Sequence, residues 1–279
     1  MATQLDSPAR ALFEGLVSRE EVPLDEVALA IAAEEYPSLR PAESLAELDR
    51  LAELVHRRVP SPRRQAAVLE ALREVLFAEA GFRGNEQAYY DPRNSYLNEV
   101  LVRRLGIPIS LSLVLIEVAR RAGLPLGGVG FPGHFLVKLT PEVGPEIFID
   151  PYNGGELLTG EECVARFRSV ANQREFDPRF LQAVTRRQML ARMLHNLKRI
   201  YVEQGDDVRA FWVVDRLLIL DGEAVEEIRD RGLISARLGL RPAAARDLEV
   251  YLARSPAAAD AGEIREMLEA IRARPAMLN

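Results

Sequence analysis

Three side chains in the middle of the chain have the right types for acyl-transfer chemistry: Ser110, His134 and Asp150. A histidine held by a carboxylate can act as a general base, and a base beside a hydroxyl makes that hydroxyl a nucleophile. Two simpler interpretations stay open, because the histidine follows Pro132-Gly133 and could serve a turn, while the aspartate could end a strand. The pair could also hold a metal, but no third ligand of a catalytic zinc site accompanies it, so no metal is predicted.

The spacing of the flanking residues brings the histidine and the aspartate together. Apolar and polar residues alternate over residues 134–139 and again over 146–150, which predicts two strands joined by a short loop. If Leu139 faces Pro145 across this loop, the histidine lies opposite the aspartate on one face of the sheet. Directly opposed Cβ atoms are about 4.5–5.5 Å apart, so we expect the two side chains to be hydrogen-bonded.

Two helices are predicted before these strands. Ser95 is placed to cap the first, whose apolar residues recur at helical spacing until Gly106 and Pro108 stop it. Ser110 is placed to cap the second, which is apolar nearly all round until Gly123. A helix of that kind is expected to be buried beneath the sheet.

Motifs spread over nearly the whole chain are similar to those of a known family. Residues 95–151 have the order of the papain-type transglutaminase-like core: a helix, a glycine-containing turn, a buried helix, a strand with histidine and a strand with Asp150-Pro151. The chain resembles more closely the SirB-type transglutaminase-like family, in the segments 34–37, 81–85, 89–92, 94–98, 104–110 and 131–134. This resemblance implies an α+β fold with a helical N-terminal part, a small antiparallel sheet packed on a buried helix, and an all-α tetratricopeptide-like tail.

The chain departs from the broader superfamily at the nucleophile. The superfamily core begins its buried helix at a cysteine, where the oriented N–H groups and the helix dipole favour a thiolate. Counting back from Gly123-Leu124-Pro125 places Pro108 at that position, and proline cannot be a nucleophile. Ser110 lies two residues further along, which turns its side chain by about 200° on a helix. The ligand-binding residues that the resemblance implies are Asn94, Asn98, Pro108, Tyr152 and Asn153.

Composition limits the possible partners. A content of 48% hydrophobic and 28% charged residues is typical of a soluble globular protein. The net charge of −6 gives no long-range attraction to nucleic acid. The sequence has neither a signal-peptide pattern nor the run of about 20 apolar residues that crosses a membrane. We therefore predict a cytoplasmic protein with no nucleic-acid or membrane partner.

The single cysteine is a poor candidate for chemistry. Cys163 follows Thr159, which begins a capping box, and its neighbours Glu161 and Glu162 would raise the pKa of a thiol. We interpret it as a small, half-buried apolar residue. Phosphate-binding loops, dinucleotide fingerprints and zinc signatures are absent from the sequence, so no cofactor is predicted.

The two ends of the chain are predicted to be helical. Proline-separated helices are expected around 9–18, 24–35, 44–57 and 61–80. Near the other end, segments 191–224 and 225–258 align 34 residues apart, which is the tetratricopeptide period. Gly205 and Ala210 of the first segment match Gly239 and Ala244 of the second. We predict a transglutaminase-like domain over residues 1–175 and a repeat domain over 176–279.

Two functions follow from these patterns. The first is a binding or regulatory module, a pseudoenzyme in which the old cleft and the repeats hold a protein or peptide. The alternative is a hydrolase or acyltransferase that acts on amide or acyl bonds, with Ser110 as nucleophile, His134 as base and Asp150 orienting it. Because Pro108 replaces the cysteine, we favour the binding module over the enzyme.

Overall fold

A computed structural model describes residues 7–59, 61–170 and 175–273 of the chain. Its contacts form two units, Ser7–Met193 and the chain from Leu194 onward. The sequence placed a domain boundary after residue 175, but residues 176–193 pack with the first unit. Val129 forms an isolated antiparallel bridge with Ala183, and Val184 donates a backbone hydrogen bond to Gly128. The domain boundary after residue 175 therefore stays a prediction. The two contact units are divided further along the chain, between Met193 and Leu194.

The N-terminal part of the first unit is helical, as predicted. Buried positions at helical spacing, such as Leu48, Leu51 and Val55, show that the third helix turns one apolar face inward, whereas the second helix is buried nearly all round. The helices are α1 (Pro8–Val17), α2 (Leu24–Ala33), α3 (Pro41–Arg58) and α4 (Gln65–Arg73), and α4 continues into a π-helical turn, Glu74–Glu79.

The centre of the first unit is a helix that is buried on every side. It follows β1 (Arg83–Gly84), a 3₁₀ turn (Pro92–Asn94), α5 (Leu97–Arg103) and β2 (Leu105–Gly106), and β1 pairs with β2 in parallel. This central helix, α6 (Pro108–Arg121), is buried from Pro108 to Ala119. Its start lies within two residues of Ser110, as predicted. Tyr96, not Ser95, is the N-cap of α5, because Ser95 ends the preceding 3₁₀ turn.

A four-stranded antiparallel sheet packs on α6. Its strands are in chain order, β3 (Gly127–Val129), β4 (Leu136–Leu139), β5 (Ile147–Asp150) and β6 (Glu156–Leu158). It is followed by α7 (Gly160–Val170), a 3₁₀ turn (Pro178–Leu181) and α8 (Arg186–Glu203). The α+β class and the small antiparallel sheet are therefore confirmed.

The predicted register between β4 and β5 is wrong by two residues. Leu139 pairs with Ile147, not with Pro145. Proline has no N–H to donate to the ladder, so the loop extends past Pro145, and the side chain of Glu146 meets Nζ of Lys138 at 2.8 Å. A shift of two residues keeps every side chain on its face, and the face prediction for Asp150 survives.

The second unit consists of helices that match the predicted repeats. After α8 come α9 (Asp207–Leu220), α10 (Val225–Arg237), α11 (Arg241–Arg254) and α12 (Ala261–Ala273). Gly205 and Gly239 end α8 and α10 with φ of 70° and 75°, which only glycine adopts easily. Ala210 and Ala244 are fully buried, and a Cβ on Gly232 would lie 2.8 Å from Leu248.

The aromatic residues of the second unit belong to its interior. Phe211 and Trp212 are buried, and the ring of Tyr201 lies 6.5 Å from that of Trp212. None of the helices within the described residues is long and apolar enough to span a bilayer.

Candidate functional site

His134 is held by a tight turn and not by a strand. The strand β4 begins two residues later, at Leu136. The backbone N–H of His134 donates to the carbonyl of Phe131 at 3.0 Å, and Gly133 between them has a φ of 72°. Proline followed by a glycine with positive φ is the pattern of a type II turn. The backbone of His134 therefore closes a turn, and its side chain remains a candidate for the predicted chemistry.

The imidazole of His134 is hydrogen-bonded to Asp150, as predicted. Nε2 lies 2.9 Å from Oδ1 of Asp150, and the histidine side chain is 19% exposed while the aspartate is fully buried. A carboxylate accepts, so Nε2 donates in this bond, and in the neutral tautomer Nδ1 is the acceptor nitrogen.

Asp150 accepts hydrogen bonds from five groups. Oδ1 accepts from His134 and from the backbone N–H groups of Tyr152 and Asn153 at 3.1 and 3.3 Å. Oδ2 accepts from Nδ2 of Asn153 and from Arg166, each at 2.8 Å. Burial alone would raise the pKa of this carboxyl, but the bonds and charge of His134 and the bonds from Asn153 outweigh burial and lower it. Asp150 is therefore a fixed anion.

Tyr152 and Asn153 lie beside the His134–Asp150 pair. The Tyr152 ring is perpendicular to the His134 ring, with centroids 6.0 Å apart. A Cβ on Gly84 would come within 2.5 Å of the Tyr152 ring, so glycine is required there. Tyr152 also contacts Tyr89, with ring centroids 6.2 Å apart. Asn153 is bonded to Asp150, which makes it a positioning group for the carboxylate.

A row of aromatic rings continues from the histidine. Tyr89 contacts Tyr90 edge to face at 5.3 Å, and Tyr90 is 54% exposed. Burial and the nearby charge of Glu86 raise the pKa of Tyr152, so its hydroxyl stays protonated at neutral pH. These rings form a continuous row from the exposed Tyr90 to His134, where the resemblance places the cleft of the family.

Ser110 is brought to the helix start, but its hydroxyl is engaged elsewhere. It is 1% exposed, and its Oγ donates to the backbone carbonyl of Asn94 at 2.6 Å. The same oxygen accepts from the N–H of Ile107 at 3.1 Å. Ser110 is thus the third residue of α6, where its side chain satisfies the N-cap N–H, and not the N-cap itself.

Pro108 is the first residue of α6, where its missing N–H costs nothing. It is buried, and its carbonyl accepts from Oγ of Ser112 at 2.7 Å. Pro108 therefore brings no reactive side chain to the start of α6.

The other two predicted ligand contacts lie away from His134. Asn94 is fully buried, and its amide is satisfied by Nδ2 of Asn85 at 3.0 Å and by the carbonyls of Ala88 and Tyr89. The Asn94 side chain therefore holds the backbone at Ala88 and Tyr89 in place. Asn98 lines a different pocket, together with residues of α3.

Cys163 is fully buried in α7, within an apolar cluster that includes Phe131 and Phe167. Burial is the main cause that raises the pKa of its thiol to about 11; the charge of Arg166 offsets it only in part, and the charge of Glu162 acts in the same direction as burial. At neutral pH the side chain is a thiol without nucleophilic character.

Sequence analysis missed Arg166. It binds Oδ2 of Asp150 and Oε2 of Glu156, at 2.8 and 2.9 Å. The capping box at Thr159 was recognised and is present, with Thr159 donating its N–H to Glu162 at 2.7 Å. Counting two turns into the helix from that cap would have placed Arg166 on the face near the strand end.

The buried helix, the small sheet and the histidine–aspartate pair define a transglutaminase-like protein with a helical-repeat tail. Residues 42–195 match the family described as the transglutaminase-like superfamily, and residues 197–269 match the tetratricopeptide repeat. A UPF0162 protein of Xylella fastidiosa is 40% identical over 253 residues, which cover 89% of this chain and 90% of that protein. The chain therefore belongs to the UPF0162 family within the transglutaminase-like superfamily.

Two further relatives show how far the similarity reaches. A UPF0162 protein of Pseudomonas aeruginosa is 32% identical over 244 residues, covering 87% of this chain and 88% of that protein. Human F-box only protein 21 is 42% identical over 106 residues, which are 36% of this chain and 17% of that protein.

Proposed function

We propose that this protein is a peptide- or protein-binding module in which the cleft beside His134 receives an extended peptide. One observation carries the proposal: the Ser110 hydroxyl donates to the Asn94 carbonyl at 2.6 Å, inside the protein, and does not pair with His134. A base without a nucleophile cannot perform covalent catalysis. The same groups can still bind a ligand.

The electrostatics of the pair support binding over catalysis. A catalytic aspartate stabilises the imidazolium that forms when the histidine takes a proton. Here the Asp150 charge is shared with Arg166, which binds its second oxygen at 2.8 Å. The positive charge of Arg166, which Glu156 also shares at 2.9 Å, lies beside Asp150 and reduces the support that this carboxylate gives to a charged imidazole.

The row of aromatic rings supports a peptide as the ligand. Tyr90, Tyr89 and Tyr152 offer apolar ring surface with polar hydroxyls, a combination enriched at protein interfaces because each ring gives large contact area at low entropic cost. His134 at the end of the row offers one hydrogen-bonding nitrogen to a backbone N–H. The tetratricopeptide repeats of the tail, a fold that presents extended binding surfaces, favour a protein partner in the same way.

The alternative remains a hydrolase or acyltransferase that uses Ser110, His134 and Asp150. The 2.9 Å bond between His134 and Asp150 favours it, because that geometry also orients a catalytic base. Such an enzyme would have to free Ser110 from its bonds to Asn94 and Ile107 and turn it toward the cleft.

The two functions separate in one set of measurements. The purified chain is treated with a fluorophosphonate probe, and a displayed library of random peptides is selected against it. We expect no labelling of Ser110, and we expect selected peptides to lose about tenfold or more in affinity in His134→Ala and His134→Gln, the loss of one well-made hydrogen bond. His195→Ala is the matched control, since His195 also pairs with a carboxylate, Glu227, at 3.1 Å.

Labelling at Ser110 that disappears in His134→Ala would establish the enzyme and overturn the binding module. Peptides that bind the wild type and His134→Ala equally would place binding outside this cleft and also reject the proposal.

A further inference from the structure

A second pocket lies between the start of α3 and the helix α5, and its lining does not include His134. Its volume is about 390 Å³, within the range of small-molecule and peptide sites. One wall is apolar, formed by Leu39, Leu101 and Val102, and Val102 at the rim is 83% exposed. The other lining residues are Arg40, Glu43, Ser44, Glu47, Asn98, Glu99 and Arg104.

Two polar groups of this pocket lack hydrogen-bond partners within the part of the chain that the structure describes. They are Oδ1 of Asn98 and Nη1 of Arg104, and both atoms are buried. Buried polar groups are nearly always satisfied in folded proteins, so two unpaired groups in one pocket lining point to a ligand that satisfies them.

Arg104 is also held in an unusual backbone conformation. It is the non-glycine residue with positive φ among those described, at 59°. Its guanidinium is held by the carboxylate of Glu47 and lies 4.7 Å from the centroid of the Phe82 ring. This φ is that of the left-handed residue that ends α5, so the helix terminus and these contacts together fix the position of Arg104.

The polar groups define the chemistry of the ligand. The side-chain amide of Asn98 has one acceptor oxygen and two donor hydrogens, and it therefore pairs with the C=O and N–H of a peptide group. Nη1 of Arg104 can donate to a second carbonyl. Glu43 is paired with Arg40 and Glu47 with Arg104, which leaves Glu99 as the excess negative charge of the lining, so the wall favours a basic ligand over an acidic one.

We propose that this pocket binds an extended, basic peptide segment. The Asn98 amide pairs with the backbone of the peptide, an aliphatic side chain fills the space against Leu101 and Val102, and a neighbouring lysine or arginine meets Glu99. The site uses none of the residues of the His134 cleft and stands independently of the function proposed for that cleft.

The test uses the full chain labelled with ¹⁵N and two matched probes, acetyl-Leu-Lys-Leu-amide and acetyl-Leu-Glu-Leu-amide. The side-chain NH₂ signal of Asn98, assigned by its disappearance in Asn98→Ala, reports contact directly. We expect a saturable shift of this signal with the lysine probe and binding about tenfold weaker for the glutamate probe, equivalent to 1.4 kcal/mol.

Variants make the result specific. Asn98→Ala should weaken binding of the lysine probe about tenfold, the loss of one buried hydrogen bond. Asn196→Ala, which removes another helical asparagine, and His134→Ala should leave it unchanged. The proposal fails if the Asn98 signal does not shift, if both probes bind equally, or if the Asn98→Ala protein binds like the wild type. A pocket filled by solvent alone gives the first of these results.

Discussion

Arg166 binds the Asp150 oxygen that His134 does not use. The guanidinium lies 2.8 Å from Oδ2, whereas His134 lies 2.9 Å from Oδ1. A buried carboxylate between two cationic or polar partners is strongly held as an anion. Asp150, at the end of β5, is thereby held by Arg166 of α7 and by His134 of the turn before β4. Tyr152 and Asn153 follow Asp150 in the chain.

The first prediction concerns acid stability. The pKa of Asp150 is lowered in the fold, so its contribution to stability is complete above its unfolded value, about 3.9, and is lost as pH falls through the folded value. The free energy of unfolding in urea should therefore fall more steeply with acid for the wild type than for Asp150→Asn. If the free energies of unfolding of the two proteins fell in parallel between about pH 5 and pH 3, the lowered pKa of Asp150 would be contradicted.

A second pH effect has the opposite sign and concerns Glu117 and Asp25. Burial raises the pKa of Glu117, and the charge of Asp25 adds to it. A raised carboxyl pKa lowers stability as pH rises above the unfolded value, because the unfolded state releases its proton first. Glu117→Gln should therefore gain stability relative to the wild type between about pH 4 and pH 7.

Asp25 is the matched control for Glu117, because both carboxylates bind Arg121. Burial would raise the pKa of Asp25 as well, but the hydrogen bond and charge of Arg121 outweigh it and lower the pKa. Asp25→Asn should lose stability relative to the wild type as pH rises. If the stabilities of Glu117→Gln and Asp25→Asn relative to the wild type changed in the same direction as pH rises, the opposite pKa shifts of the two carboxyls would be rejected.

Ser110 should be a stabilising residue. Ser110→Ala leaves the buried Asn94 carbonyl and Ile107 N–H without their partner, which should lower the free energy of unfolding by roughly 1–3 kcal/mol. Ser112→Ala is the control, since Ser112 only back-bonds to Pro108 within its own helix and should matter much less. Equal losses in urea unfolding would show that Ser110 has no special structural role.

Two neighbouring glycines test the turn after Asp150. Gly154 and Gly155 have φ of 67° and 74°, so alanine at either position should cost about 1–2 kcal/mol of conformational strain. A Cβ on Gly155 would in addition lie 2.4 Å from the Phe77 ring, whereas one on Gly154 meets nothing within 4 Å. Gly155→Ala should therefore unfold at a lower urea concentration than Gly154→Ala, because overpacking against Phe77 lowers its free energy of unfolding by about a further 1–3 kcal/mol. Identical urea midpoints for the two variants would mean that the Phe77 side chain moves aside without a cost in stability.

The repeats make a prediction of their own. Ala244 is fully buried between helices, so Ala244→Leu should overpack the contact and lower the stability by about 1–3 kcal/mol. Ala253, exposed on the same helix, is the control, and Ala253→Leu should leave the melting temperature nearly unchanged. An unchanged melting temperature for Ala244→Leu would count against the close helix contact.

Periodicity explains which parts of this fold the sequence could predict. The all-round apolar run after Pro108 predicted the buried helix, and the 34-residue repeat predicted the glycine turns at Gly205 and Gly239. The side-chain period of two placed His134 and Asp150 on one face even though the register was wrong by two residues. Each of these signals depends only on local spacing.

Contacts between distant segments could not be predicted in the same way. The loop between β4 and β5 is longer than expected because Pro145 cannot pair, and Ser110 faces Asn94 because a 3₁₀ turn brings that carbonyl to the helix start. Arg166 reaches Asp150 across 16 residues. Asn98 shares a motif with Asn94, but the helical turn between them directs the two side chains to different sites.

The burial of Cys163 has a practical consequence for spectroscopy. Its thiol is inaccessible and its pKa is raised to about 11, so the native side chain should ignore maleimide reagents at neutral pH. A cysteine introduced by Val102→Cys, at a position that is 83% exposed on the rim of the Asn98 pocket, would then be the single reactive thiol. A fluorophore attached there can follow occupancy of the pocket in the otherwise native chain.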